Sequence, residues 1–197
     1  MTQYGAMVAC LCLVLAVACS TRTPEPPTGT RLTFQPPTSP NIVVDNFRNS
    51  IIEKNTENFI LCLSDATSRS RYAYSFEPSA EVAARYGTLF LRWSPQAERQ
   101  AFLSLISRLP QEQAPSLDLT SFSTAFSSPD STVYVMEYIL RVNHGITAIP
   151  QSLAGTMVLT ITPEASGLWS ISSWRDAKRP TDTTESTWSL LKAQFSN

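Results

Sequence analysis

Apolar and polar positions alternate most regularly across residues 132–176. In residues 133–142, Tyr134, Met136, Tyr138, Leu140 and Val142 fall on one face, and Val135, Glu137, Ile139 and Arg141 fall on the other. Residues 156–162 repeat the period, with Met157, Leu159 and Ile161 set against Thr156, Thr160 and Thr162, and residues 169–174 continue it. A period of two in β-branched and aromatic residues predicts antiparallel strands with one buried face. Residues 163–167 have hairpin length and contain Gly167. Residues 143–155 are long for a hairpin, so either the strands extend further or an irregular excursion lies there. Trp169 and Ile171 are two apart, so they are expected to share the face that meets the helices, opposite Val43, Phe47 and Ile51, with Ser170 on the other face.

A sheet with one apolar face needs a cover, and helical spacing before and after it supplies candidates. Ser39-Pro40 opens a stripe of Val43, Phe47 and Ile51, widened by Val44 and Ile52. After Asn55, Thr56 is expected to cap a short second helix through Phe59, Ile60 and Leu63. Residues 72–76 alternate aromatics as a short strand, and Glu77-Pro78-Ser79 starts a helix through Val82 and Tyr86 that Gly87 is expected to end. Residues 89–93 fit either period. Ser94-Pro95 opens the clearest helix, with Phe102, Leu105, Ile106 and Leu109 on one face and Pro110 as its stop. Residues 116–122 read as an edge strand and 127–131 as a turn. Near the end, Asp182-Thr-Thr-Glu185 has the form of a capping box before Trp188, Leu191 and Phe195, an amphipathic helix expected to pack Trp188 on the body.

The beginning of the chain follows other rules. Residues 6–18 are an unbroken apolar run, short for a bilayer-spanning helix, which needs about 20 residues, and of the length of a secretory signal core. Leu15-Ala-Val-Ala-Cys19 resembles a bacterial lipobox, although no Lys or Arg precedes it. The resemblance implies a diacylglycerol on the Cys19 thiol and a mature chain beginning there. Residues 20–40 hold six of the 14 prolines, which suits an extended tether rather than a packed element. The expected organisation is a signal peptide over 1–18, a Pro/Thr-rich tether over 19–39 and a single domain over 40–197. Ser20 after the cysteine implies the outer membrane where enterobacterial sorting holds. With Cys10 and Cys12 lost and Cys19 acylated, only Cys62 remains, so no internal disulfide is available; its apolar flanks predict a buried, inert thiol.

A net charge of -1 and a charged fraction of 16% argue against nucleic acid as a partner, since no basic stripe is present. The order helix, helix, short strand, helix, curved antiparallel sheet resembles nuclear-transport-factor-2-like (cystatin-like) domains. The residues that carry the resemblance are the opening helices with Asn55-Thr56 at their joint, the long strand 133–142, and the hairpin whose Gly167-Leu-Trp-Ser-Ile171 looks like that family's Gly-x-Trp-x-Ile strand. The resemblance implies an α+β fold, with N-terminal helices packed in a curved antiparallel sheet that forms a cone with a pocket at its mouth. Its members include isomerases, cyclases and dehydratases as well as binding domains, so fold alone does not assign an activity.

Candidate chemistry is sparse. Tyr74, Tyr86, Trp93, Tyr138 and Trp174 are expected to line a pocket if the cone is open, with core packing as the competing role. An isomerase-like site would need a carboxylate base near a phenol. Asp118, Glu137 and Asp176 are the acids available and Tyr134 is a further phenol, but Glu137 and Tyr138 alternate onto opposite faces. His144 is the only histidine, expected as a solvated turn residue, and no second histidine or free cysteine joins it, so neither a metal nor a cofactor is expected. Phosphate loops and nucleophile elbows are absent. The sequence therefore predicts a lipid-anchored envelope protein that binds a small apolar ligand or an envelope protein without catalysis, with an isomerase- or cyclase-like enzyme as the alternative. It leaves the oligomeric state open.

Overall fold

The computed structural model describes residues 33–67 and 69–196. Cys19 and the segments expected as signal peptide and most of the tether lie outside the described residues. Helices α1 (Pro40–Ile52) and α2 (Thr56–Leu61) are followed by β1 (Ser75–Glu77), α3 (Ala80–Phe90) and α4 (Pro95–Ile106). Strands β2 (Ser116–Ser128), β3 (Ser131–Arg141), β4 (Ser152–Pro163) and β5 (Trp169–Ala177) come next, and α5 (Trp188–Phe195) closes the chain. The sheet order is β1-β5-β4-β3-β2. β1 lies parallel to β5, and the other neighbours are antiparallel. The helices pack on the apolar face of this curved sheet, so the fold is α+β, as the patterning predicts.

β3 keeps the period of two along its length, with Thr132, Tyr134, Met136, Tyr138 and Leu140 buried. β4 sets Leu153, Gly155, Met157, Leu159 and Ile161 beside them. β4 begins at Ser152, and Val142 N–H bonds to Gln151 O at 2.8 Å, so the excursion between β3 and β4 is shorter than the sequence suggests. His144 holds that excursion together. It is buried, its Nδ1 accepts Ile146 N–H at 3.1 Å, its Nε2 faces Pro150 O at 3.2 Å, and its ring meets Phe195. The expectation of a solvated turn histidine is corrected, because two backbone groups that would otherwise lack partners claim both ring nitrogens.

The face assignment on β5 also changes. A bulge breaks the register between Thr160 and Ile161, so Ile171 pairs with Ile161 while Trp174 pairs with Leu159. Ile171 and Trp174, three apart, therefore share the inner face, and Trp174 meets Phe47 edge-on at 5.3 Å. Trp169 is half-buried against the core, and Ser170, expected outside, is fully buried, as is its register partner Thr162. Both faces are covered at this end of the sheet. The far edge of β5 is also occupied: Ile171 bonds Cys62 O and Ser64 N–H before β1 takes over at Ser173.

Local signals differ in small ways. Asn55, not Thr56, caps α2, accepting Asn58 N–H at 3.0 Å. Ser94 caps α4 as expected. Gly87 does not end α3, which passes a kink at Tyr86 and continues to Phe90. The residues before α1 pack on the body: Pro37 is buried, Phe34 is half-buried, Asn46 bonds both the N–H and the C=O of Gln35, and Pro37 O accepts Trp169 N–H. A chain starting at Pro40 would leave these contacts out.

Candidate functional site

The inside of the cone is built from both ends of the chain. α5 is expected as an amphipathic helix that packs Trp188 on the body, yet Trp188, Ser189, Leu190, Leu191, Lys192, Ala193 and Phe195 are all buried. A helix buried nearly all round is a core element. It lies against α3, α4 and β4, and its Trp188 ring meets Phe47, Tyr138 and Trp174.

Its first turn is held by the sheet and not by the local capping box. Asp182 pairs with Arg179, and Glu185 accepts the hydroxyls of Ser79 and Thr187, so neither residue caps. Instead Tyr138 OH accepts Trp188 N–H at 2.7 Å and donates to Asp176 Oδ1 at 2.8 Å. Asp176 Oδ2 accepts Ser189 N–H at 2.6 Å and the Ser189 hydroxyl. A carboxylate against the exposed N–H groups of a helix start is favoured by hydrogen bonding and by the helix dipole together. Burial raises the pKa of Asp176, and these hydrogen bonds oppose the rise. Burial and the neighbouring carboxylate push the Tyr138 phenol well above its usual range. Gly155, opposite Tyr138 in the register, leaves room for that ring: a Cβ there would lie 2.6 Å from Ala177 O and 2.7 Å from Tyr138 OH.

One turn further along α5 is a buried ion pair. Lys192 Nζ meets Glu98 Oε1 of α4, and both side chains are almost fully enclosed. Tyr74 OH and Trp93 Nε1 donate to the same carboxylate oxygen at 2.6 and 2.7 Å. The ammonium lies 3.4 Å from the Phe76 ring centre and 3.5 Å from that of Trp174. Burial lowers the Lys192 pKa to about 8, against the opposing pull of Glu98. The space left beside this pair is a cavity of about 20 Å³, lined by Phe59, Phe102, Leu105, Leu191 and Phe195 among others. That is room for about one water molecule.

The structure thus brings Tyr74, Trp93, Tyr138 and Trp174 together in one interior cluster. Tyr86 stands apart, half-buried, its hydroxyl accepting from Gln194 at 3.0 Å. Of the candidate acids Asp176 is inside, whereas Asp118 pairs with Arg141 at an exposed position. Tyr134 bonds Asn41 and packs at a tilt against Phe122, away from the acids. Glu98 and Lys192 were not singled out by the sequence. The available signal was position: Glu98 shares a face with Phe102 and Leu105, and Lys192 lies one turn from Trp188, so each charge interrupts an apolar stripe. Cys62 is buried, and burial pushes its thiol far up. Among the described residues no group of three His, Cys, Asp or Glu side chains could hold a metal ion, and no helix is long and apolar enough to cross a membrane.

No family model matches this sequence, and no curated protein matches it. Solved structures do match its fold. A protein named as an aromatic ring hydroxylase from Novosphingobium aromaticivorans aligns with a TM-score of 0.53 at 8% identity, covering 77% of this chain and 92% of its own. A nuclear-transport-factor-2-like protein from Cytophaga hutchinsonii aligns with a TM-score of 0.50 at 9% identity, covering 70% and 93%. A protein named as a scytalone dehydratase, also from Novosphingobium aromaticivorans, gives 0.50 at 10% identity, covering 75% and 88%. The fold is the nuclear-transport-factor-2-like cone. At these identities the likeness extends to the fold alone.

Proposed function

We propose that this chain is a lipid-anchored protein of the cell envelope, held by Cys19, whose cone domain binds a protein partner and performs no chemistry. The observation that carries the non-catalytic part is the occupancy of the cone. Tyr138 and Asp176 have the geometry of a phenol beside a carboxylate base, but their bonding capacity is spent on the first turn of α5. With α5 seated, the space beside the Glu98–Lys192 pair is about 20 Å³, too small for a substrate. A small apolar ligand meets the same obstacle inside the cone, so a protein partner bound at the surface is better supported.

The surface offers a place for one. β2 is an edge strand with Phe122 and Phe126 about half exposed, and a groove of about 540 Å³ runs beside it, between Val44 and Arg48 of α1 and Leu119 and Phe122 of β2. A strand edge with no neighbouring strand is a template for pairing, here over the parts of β2 outside its two register shifts. The alternative, an isomerase- or cyclase-like enzyme, is favoured by one observation, the Tyr138–Asp176 contact, and requires α5 to leave.

Two measurements test the proposal. Cys19→Ala should abolish metabolic palmitate labelling and release the protein to the soluble fraction; labelling that persists rejects Cys19 as the anchor. A photo-crosslinking residue at Phe126 should give a discrete adduct in intact envelopes, and one at exposed Glu112 should not. Equal labelling at both positions, or none at Phe126, removes the β2 edge as the partner surface.

A further inference from the structure

The Lys192 ammonium is held in a way that goes beyond an ion pair. Two aromatic faces flank it, from Phe76 and Trp174, with Trp93 at 5.9 Å and the Glu98 carboxylate completing the enclosure. Faces of aromatic rings attract cations through their quadrupole, and the attraction strengthens when the site is desolvated. Tyr74 and Trp93 donate to the same Glu98 oxygen that Lys192 contacts, so the carboxylate keeps two partners that fix it beside the cage when Lys192 is displaced. Asp176 adds a second buried acid that acts on the same ammonium, so two buried acids bear on Lys192. Trp174 Nε1 is buried with no hydrogen-bond partner, a donor left over within the same wall.

We propose that Phe76, Trp174, Trp93 and Glu98 form an ammonium-binding cage whose resident is Lys192, and that an exogenous amine, with an alkylammonium head on an apolar body, takes the place of that side chain. The apolar body has its complement in Phe59, Phe102 and Leu105, which line the small cavity beside Glu98 and Lys192. That cavity is too small for a ligand while Lys192 stays, so binding is competitive with it. The hydrogen bonds that pin the start of α5 are at Trp188 and Ser189, one turn before Lys192, so displacing that side chain leaves them in place but has to open the buried second turn of the helix. An ammonium tethered in the same molecule competes at an effective concentration on the order of mM. The native chain should therefore bind an amine weakly, and a chain lacking that ammonium should bind it tightly. This goes beyond the partner-binding proposal, which is read at the β2 edge and survives if the cage takes no ligand.

The test titrates the full-length chain with 2-phenylethylammonium, and in parallel with 2-phenylethanol, which has the same body and no charge. Tryptophan emission reports on the site, because Trp93, Trp174 and Trp188 all surround it. The amine should give a saturable change and speed amide exchange in residues 190–195, and the alcohol should do neither. Lys192→Met keeps the length and removes the ammonium, and should bind the amine at least about tenfold tighter. Adding Glu98→Gln to it should erase the preference for amine over alcohol. The proposal is overturned if Lys192→Met binds the amine no more tightly than the native chain, or if amine and alcohol behave alike. Should Lys192→Met fail to fold, the native chain decides: amine-selective, saturable exchange in α5 supports the cage, and its absence rejects it.

Discussion

Tyr138→Phe isolates what holds α5 in the cone. The ring is fully buried and keeps its packing on Trp188, so only the hydroxyl is lost. That hydroxyl bridges two groups with no access to water. It donates to Asp176 Oδ1 and accepts Trp188 N–H. Removing a donor to a carboxylate costs about 1.5–3 kcal/mol, and an unpaired buried N–H costs about 1–3 kcal/mol. Asp176 keeps its Ser189 bonds, so part of the first loss is recovered, and the expected total is about 2–4 kcal/mol. A domain with about 5–15 kcal/mol to lose should remain folded. Urea unfolding should show a midpoint lowered by on the order of 1–2 M at unchanged slope, and amide exchange should quicken first at Trp188 and Ser189. Ser189→Ala acts through the same carboxylate, so the two changes should not be additive. A loss under about 0.5 kcal/mol with α5 exchange unchanged would show that packing alone seats the helix, and the Tyr138–Asp176 pair would then be free for other work.

Gly155→Ala should destabilise by about 1–3 kcal/mol, because the added Cβ meets the fixed Ala177 carbonyl as well as Tyr138; thermal melts within experimental error of wild type would contradict the close approach. A chain beginning at Pro40 should melt measurably lower than one beginning at Thr33, since it loses the Asn46–Gln35 and Trp169–Pro37 bonds and the Phe34 contact; equal midpoints would mean those contacts carry no stability. The pH dependence follows from Lys192, whose pKa falls to about 8 in the folded chain from about 10.4 unfolded. Below pH 8 both states hold the proton and the full cost of the buried cation is present; between about pH 8 and 10.4 the folded state releases it first, and stability is regained as pH rises. Cys62, Tyr74 and Tyr138, all raised by burial, act in the opposite direction, so the readout is wild type relative to Lys192→Met. Wild type should gain on the variant across that window, and a flat difference would contradict a depressed Lys192.

The fold was legible in this sequence because its carriers are local. The period of two in β3 and β4, the stripes of α1 and α4, the Ser94 cap and the turn at 129–130 each depend on a few neighbouring residues. Where a local signal was silent, the cause was a contact distant in sequence. A single bulge in β5 moved Trp174 onto the face of Ile171, since one extra residue shifts the faces without changing the composition, and Ser170 is buried because the opposite face is covered as well. His144 reads as a turn residue until the backbone of 146–150 folds onto it. α5 shows the limit most clearly. Its stripe of Trp188, Leu191 and Phe195 predicts a helix, but a stripe does not distinguish a helix lying on a body from one lying inside it. What surrounds it comes from residues tens of positions away: Glu98, Tyr138 and Asp176 give its buried polar groups partners, and without them Lys192 and Ser189 would have kept it at the surface. The sequence by itself determined the elements, their order and their apolar faces. Only the tertiary structure decided that the cone is filled by its own last helix, because whether a buried charge is tolerated depends on which partner reaches it through space.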